Sequence, residues 1–363
     1  MLLIPHPHVP MPLIRRFDAV IAMVLLPASA CSRASGPEPA PVQQQAPARA
    51  GTVRAEDVRR ALYDLAADSM EGRGTGTRGG MRAAVYLAAR LQALGVQPAG
   101  DFGYFQTVPV AADGPRARLR LATADELARL RPEQVRQAFN VVARVPGTDP
   151  SLAGEAVIVG AHYDHVGIGR AVDGDSIYNG ADDDASGTVA VLEVARALAK
   201  SPPRRTVVLF FATGEEVGML GTRHYLREPV VPLDSTVAGL FVEMIGRPDS
   251  LAGGPGRGWV TGFDRSTMGA LLSAAGVAIV RDPRPAQNFF ERSDNTPFAR
   301  MGVPAHVLSS FGLHGDYHQP SDEPGTLDYA HMTRVIDAAI HAVRTLADGA
   351  RPQWNPGGRP AAR

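Results

Sequence analysis

Cysteine is almost missing: Cys31 is the only one in 363 residues. No intrachain disulfide can form and no thiolate zinc site can be built, so any metal must rest on histidines and carboxylates. Lysine is equally scarce, with Lys200 alone among 37 basic residues. The 37 acids balance them to zero net charge, which excludes a nucleic-acid binder working through bulk positive charge. Nor does any apolar run reach the roughly 20 residues that span a bilayer.

What is present begins with an export signal. From Met11 the chain runs through Arg15-Arg16, an apolar stretch over 19–26, then Ala28-Ser29-Ala30-Cys31. A basic start, a short apolar core and small residues before a cut describe a secretory signal. Residues 1–31 therefore read as a targeting segment and 32–51 as a Pro/Ala/Gln-rich linker. One catalytic-size domain follows over 52–348, and 349–363 reads as a disordered Pro/Gly/Arg tail. The expectation is a periplasmic, secreted or envelope lipoprotein of a bacterium. Cys31 after small residues resembles a lipoprotein attachment site, although Ala28 stands where Leu is usual and cleavage after Ala30 explains the same residues. A lipidated Cys31 is the one membrane anchor this reading offers.

Within the domain, apolar spacing predicts helices over 55–67 (Val58, Leu62, Leu65) and 80–94 (Val85, Leu87, Leu91, Leu94), the second ended by Gly95. Short Val/Leu/Phe-rich runs at 156–161, 206–212, 240–244 and 303–309 suit buried strands. Helices over 187–200 and 327–346 alternate with them. The pattern predicts an α/β fold, a three-layer α/β/α sandwich with helices on both faces of a mixed, mostly parallel central sheet. Gly74-Thr75-Gly76-Thr77-Arg78-Gly79 matches the dinucleotide fingerprint, but no apolar strand precedes it. It reads as a flexible loop before a helix.

Chemistry-bearing residues gather at strand ends, where open α/β sheets place their sites. His162 and Asp164, in Gly160-Ala161-His162-Tyr163-Asp164-His165, are two apart; in extended chain one can bind a metal while the other orients it. Asn179-Gly180-Ala181-Asp182-Asp183-Asp184-Ala185-Ser186-Gly187 sets three acids side by side. One suffices to cap a helix, whereas three repel unless a cation intervenes. In Thr213-Gly214-Glu215-Glu216, one glutamate can hold a metal while its neighbour acts as general base. Glu243 sits in an apolar run and is costly to bury unpaired. His318 is ambiguous alone, as are His306 and His314. The donor set suits zinc, with enough ligands for two ions, and points to a metal-assisted hydrolase.

The order Ala-His-Tyr-Asp, Gly-Ala-Asp-Asp-Asp-Ala-Ser-Gly, Gly-Glu-Glu, a strand acid, then Tyr-His resembles the M28 family of zinc peptidases. Those include secreted bacterial aminopeptidases and the glutamate carboxypeptidase II branch. The resemblance covers most of 60–345, including Glu71-Gly72-Arg73-Gly74-Thr75-Gly76 and Ser293-Asp294-Asn295-Thr296-Pro297-Phe298. It implies a co-catalytic centre with two zinc ions. His162 would bind one ion, Asp183 would bridge both, and Glu216 and His318 would bind the second. Glu215 would be the general base, Asp164 would orient His162, and the Asp183-Asp184 peptide would be cis. Glu243 stands where the secreted aminopeptidases usually carry Asp, which puts that ligand, and equal tightness of the two zincs, in question.

The expected activity is therefore that of an exopeptidase, an aminopeptidase acting on peptides. A glutaminyl cyclase-like acyltransferase shares the fold and the Gly-Glu-Glu segment but uses one zinc, and the intact Asp-Asp-Asp block speaks against it. Relatives of the M20 type insert a second domain for which the interval from Glu243 to His318 is too short. A receptor-like relative without metals ranks last, because every inferred ligand position keeps a metal-competent side chain.

Overall fold

The computed structural model describes residues 53–114 and 118–362. The targeting segment and linker expected over 1–51 lie outside the described residues. Among those described, no helix is long and apolar enough to cross a membrane.

The strands are β1 (Gln97–Pro98), β2 (Phe105–Ala111), β3 (Arg120–Leu121), β4 (Val135–Val145), β5 (Ala156–His162) and β6 (Gly167–Val172). They continue with β7 (Asp175–Tyr178), β8 (Thr206–Ala212), β9 (Thr236–Val242), β10 (Gly258–Val260), β11 (Ile279–Arg281) and β12 (Ala305–Ser309). The helices that frame them are α1 (Ala55–Leu65), α2 (Arg78–Ala93), α3 (Gly187–Lys200), α4 (Leu220–Tyr225), α5 (Asn295–Met301) and α6 (Tyr329–Asp348). All strands except the β6–β7 hairpin join one mixed sheet in the order β11-β10-β12-β9-β5-β8-β4-β2-β3, with β1 on β4. Its centre, β12-β9-β5-β8, is parallel, while β4 pairs antiparallel with β8 and β2 antiparallel with β4.

The three layers follow from alternation in the central strands. All seven residues of β5 are buried, as expected of a strand covered on both faces. Val157 and Val159 point with Leu209 and Leu240 into a core shared with α1, α2, α3 and α6. Ile158, Phe210 and Phe241 point the other way, onto Tyr225 of α4 and Phe298 of α5. There the rings of Phe210 and Tyr225 lie 4.8 Å apart and those of Phe241 and Phe298 5.4 Å, spacing at which aromatic pairs attract beyond simple burial.

Three expectations differ from what is observed. β9 ends at Val242 rather than 244, because Met244 takes a positive φ of 50° and turns the chain out of the sheet; Glu243 is thus at the strand's lip, not inside it. The Gly74–Gly79 segment is packed rather than flexible. Gly72 just before it has φ 61°, and a Cβ there would lie 2.5 Å from the Tyr178 carbonyl oxygen. The tail expected to be disordered over 349–363 is instead fastened through residue 362. Arg205 donates to Gly349 O at 2.6 Å, Trp354 Nε1 to Gly302 O at 2.8 Å, and Asn355 N to Arg265 O at 2.9 Å. One tryptophan with a partner for its N–H outweighs the Pro/Gly-rich composition.

His306, ambiguous in the sequence, is a core residue of β12. Its Nδ1 donates to Thr261 O and its Nε2 accepts from Ser266 Oγ, both at 2.7 Å. Burial pulls its pKa from 6.5 down to about 4. Folding therefore favours the neutral ring. The associated stability is full above the unfolded pKa and is lost as pH falls toward the folded one, up to about 3 kcal/mol. His306→Gln should flatten that acid slope, measured as urea midpoints on either side of the window; an unchanged slope would assign it elsewhere.

Candidate active site

The nominated residues converge on the carboxyl edge of the parallel strands. His162 ends β5, Glu215 and Glu216 follow β8, Glu243 follows β9, and His318 lies in the loop after β12. Asp183 comes from the turn leading into α3.

Two groups of donors share Asp183. His162 Nε2 lies 3.4 Å from Asp183 Oδ1 and 3.6 Å from Glu243 Oε1. On the other side, His318 Nε2 lies 3.1 Å from both Asp183 Oδ2 and Glu216 Oε2. His165 joins this second group, with Nδ1 2.8 Å from Glu216 Oε1 and 3.7 Å from Asp183 Oδ2. Yet His162 Nε2, Asp183 Oδ2 and His318 Nε2 are buried without a hydrogen-bond partner among the described residues. Atoms this close that do not bond one another are aimed at common points between them. Tetrahedral zinc with bonds of about 2.0–2.1 Å spaces nitrogen and oxygen donors about 3.3–3.4 Å apart, so the residues fit a metal in each group.

Charge follows the same division. Burial opposes ionisation of Asp183, but His162 and His318 outweigh it and hold the carboxyl well below its ordinary range. Burial would likewise depress His318, yet Asp183 and Glu216 raise it to about 10. Glu215 behaves oppositely. Burial pushes its carboxyl well up, and Glu243, Asp294 and Glu216 push the same way against His162. A proton acceptor raised in this manner is what general-base work requires.

The three adjacent aspartates do not share one cation. Asp182 accepts from Gly246 N at 2.7 Å and faces His314 at 2.9 Å and Arg247 at 3.4 Å. Asp184 accepts from Gly187 N and Met244 N, both at 3.0 Å. Only Asp183 faces the donors, and the Asp183-Asp184 peptide is cis. Asp322 holds the loop from behind, accepting from Asp182 N at 3.0 Å and Asp183 N at 3.1 Å.

Two sequence expectations need revision here. Asp164 was expected to orient His162 through its carboxylate, but the nearer group is its main-chain carbonyl, 3.1 Å from His162 Nδ1 against 3.8 Å for Oδ1. β5 stops at His162, so the extended geometry that would align the two side chains ends one residue too soon. The Asp164 carboxylate instead accepts from Thr75 Oγ1 at 2.8 Å and Glu215 N at 3.2 Å, tying the glycine-rich segment to the general-base candidate. The carbonyl contact still fixes the His162 tautomer with Nε2 free for a metal. The sequence reading also passed over His165. The signal was there, a second histidine three residues after the first, at a spacing that in extended chain would face it away from His162.

Beside the carboxylates the pocket wall is largely aromatic and aliphatic. Met244, Trp259, Phe289, Val307, Phe311 and Tyr317 line it, together with Thr261, Ser309 and Arg292 and the carboxylates of Asp183, Glu215, Glu216 and Glu243. Trp259 stacks on Phe289 at 5.2 Å, and the Arg292 guanidinium lies 5.1 Å from the Phe289 ring centre.

Comparison with known proteins agrees with this architecture. The chain is 26% identical over 235 residues to leupeptin-inactivating enzyme 1 of Streptomyces exfoliatus, covering 58% of this chain and 49% of that protein. It is 28% identical over 216 residues to probable leucine aminopeptidase 2 of Aspergillus fumigatus, covering 57% and 39%. The match thus spans less than half the length of either relative. Among solved structures, BSAP, a zinc aminopeptidase from Bacillus subtilis, superposes with a TM-score of 0.58 at 14% identity, covering 82% of this chain and 96% of that one. Glutaminyl cyclase of Porphyromonas gingivalis gives 0.57 at 18% identity, covering 80% and 98%. The fold is common to both. The profile of Peptidase family M28 matches residues 140–343, and with the site's donors lying inside that span the chain belongs to peptidase family M28.

Proposed function

We propose that this protein is an aminopeptidase that works with two zinc ions. The observation that carries the reading is the division of Asp183, whose two oxygens face two separate donor groups. His162, Asp183 and Glu243 would hold one ion; Asp183, Glu216 and His318 would hold the other. Bound zinc would supply Lewis acidity, lowering the pKa of water and polarising the scissile carbonyl. Glu215 takes the proton of the attacking water and passes it to the departing amine. Met244, Trp259, Phe289 and Phe311 receive a large apolar side chain, and the neighbouring carboxylates receive the free α-amine. Export is part of the proposal, supported by the signal-like residues 11–31, with Cys31 as the candidate lipid anchor.

The test pairs zinc analysis with hydrolysis of aminoacyl and N-acetyl-aminoacyl anilides. Two zincs per chain and turnover of free amines alone are expected. One zinc without amide hydrolysis would favour the cyclase, whose fold this chain also shares. No zinc, and no turnover after zinc is added, would leave a non-catalytic relative.

A further inference from the structure

We infer that His165 is a fourth donor to the second ion, closing that site with two imidazoles and two carboxylates. The first site keeps three donors and an open position. This assignment rests on the two-ion reading above and makes the two ions unequal.

The second group can offer one donor atom from each of four residues, all within 4.8 Å of one another. His318 Nε2 lies 3.1 Å from both Asp183 Oδ2 and Glu216 Oε2. His165 Nδ1 lies 3.7 Å from the same Asp183 oxygen and 2.8 Å from the other Glu216 oxygen, Oε1. These bracket the roughly 3.3–3.4 Å set by bonds of about 2.0–2.1 Å. Nδ1 looks toward both carboxylates. A histidine serving only to hold Glu216 would have no reason to approach Asp183 as well.

The ring is also fixed where it is. It is buried, its main chain bridges to Gly74, and it meets His318 edge-on with centres 5.4 Å apart. Gly180 makes room for it: a Cβ at that position would lie 2.5 Å from the ring carbons. The loop that delivers Asp183 is therefore shaped around His165. The first group, by contrast, comprises only His162, Asp183 and Glu243 among the described residues.

Closed zinc sites are structural and open ones catalytic. The second ion is accordingly the resident one, and the first is the exchangeable one that meets the substrate. Loading should be stepwise, with the first equivalent entering the closed site without turnover and the second bringing activity.

X-ray absorption at the zinc edge of the fully loaded wild-type chain provides the direct test. It should count three imidazoles per two ions; two would overturn the assignment. Cobalt titration against a competing chelator gives the second measurement. His165→Asn keeps an amide N–H to offer Glu216 but lacks a nitrogen lone pair for the metal. It should weaken the tighter equivalent about 100-fold or more, at or beyond the top of the roughly 10–100-fold range for losing a ligand's supporting partner. The intense visible absorption of four-coordinate cobalt should fall with it. An Asn variant with wild-type affinity and spectrum would overturn the assignment while leaving two ions in place. Wild-type protein that binds one equivalent or none would overturn the two-ion reading and this assignment together.

Discussion

Glu215→Gln should keep both zinc ions and lose turnover, with kcat lower by roughly 10²–10⁴-fold. The substitution is nearly isosteric and removes only the capacity to take a proton. Glu215 lines the pocket with Asp183, Glu216 and Glu243 but belongs to neither metal-competent group. Its main-chain N–H is anchored on Asp164, so the side chain should keep its place. Metal content and turnover must therefore separate in this variant. Zinc lost along with activity would instead make Glu215 a ligand, and turnover within tenfold of wild type would take the general-base role away.

The largest expected effect on stability lies at Arg73, a fully buried side chain. Its Nε donates to Tyr163 O at 2.7 Å. Its terminal nitrogens donate to Leu65 O at 3.0 Å, Asn179 O at 2.6 Å and Gly180 O at 2.7 Å. One guanidinium thus joins the end of α1 to two of the segments that carry candidate metal donors, those of His162 and Asp183. Arg73→Leu would leave the Leu65, Asn179 and Tyr163 carbonyls buried and unpaired and Gly180 O with only its 3.3 Å bond from Ala185 N, at about 1–3 kcal/mol for each lost partner before relaxation, for a net loss of about 4–5 kcal/mol. Lysine should rescue little, since a single ammonium cannot reproduce the planar fork. Urea unfolding of both variants checks this, and a loss under about 1 kcal/mol for Arg73→Lys would show the fork to be dispensable.

How far the sequence could be read depended on the kind of signal. The parallel centre was legible because buried strands such as Thr206–Ala212 are unbroken apolar runs, and α3 was legible from Gly187 to Lys200 because its apolar residues recur at helical spacing. The antiparallel wing was not. β4 carries Arg136, Gln137, Asn140 and Arg144, which break up its apolar pattern. One of those interruptions has a purpose at the site: buried Asn140 accepts from Thr213 N at 3.1 Å and donates to Gly221 O at 2.9 Å, bracketing the Glu215–Glu216 turn. The residues that gather at the strand ends were legible by type and spacing, apart from His165. What spacing could not give was direction. It treated Asp182, Asp183 and Asp184 as one anionic block, whereas main-chain amides and Arg247 claim the outer two. It also gave Asp164 an orienting role that falls to its carbonyl.

The division of Asp183 between two donor groups bears on durability as well as catalysis. The donors come from five separate stretches of chain between His162 and His318. No unfolded chain can present them together, so zinc held as proposed would bind the native state alone. Each ion would then add RT ln(1 + [Zn]/Kd), about 4 kcal/mol at a thousandfold excess over Kd. In a chain with one cysteine, that linkage would supply the cross-bracing that disulfides otherwise provide. Under the proposed export, survival would then track free zinc, and surroundings that sequester the metal would unfold the enzyme as well as silence it.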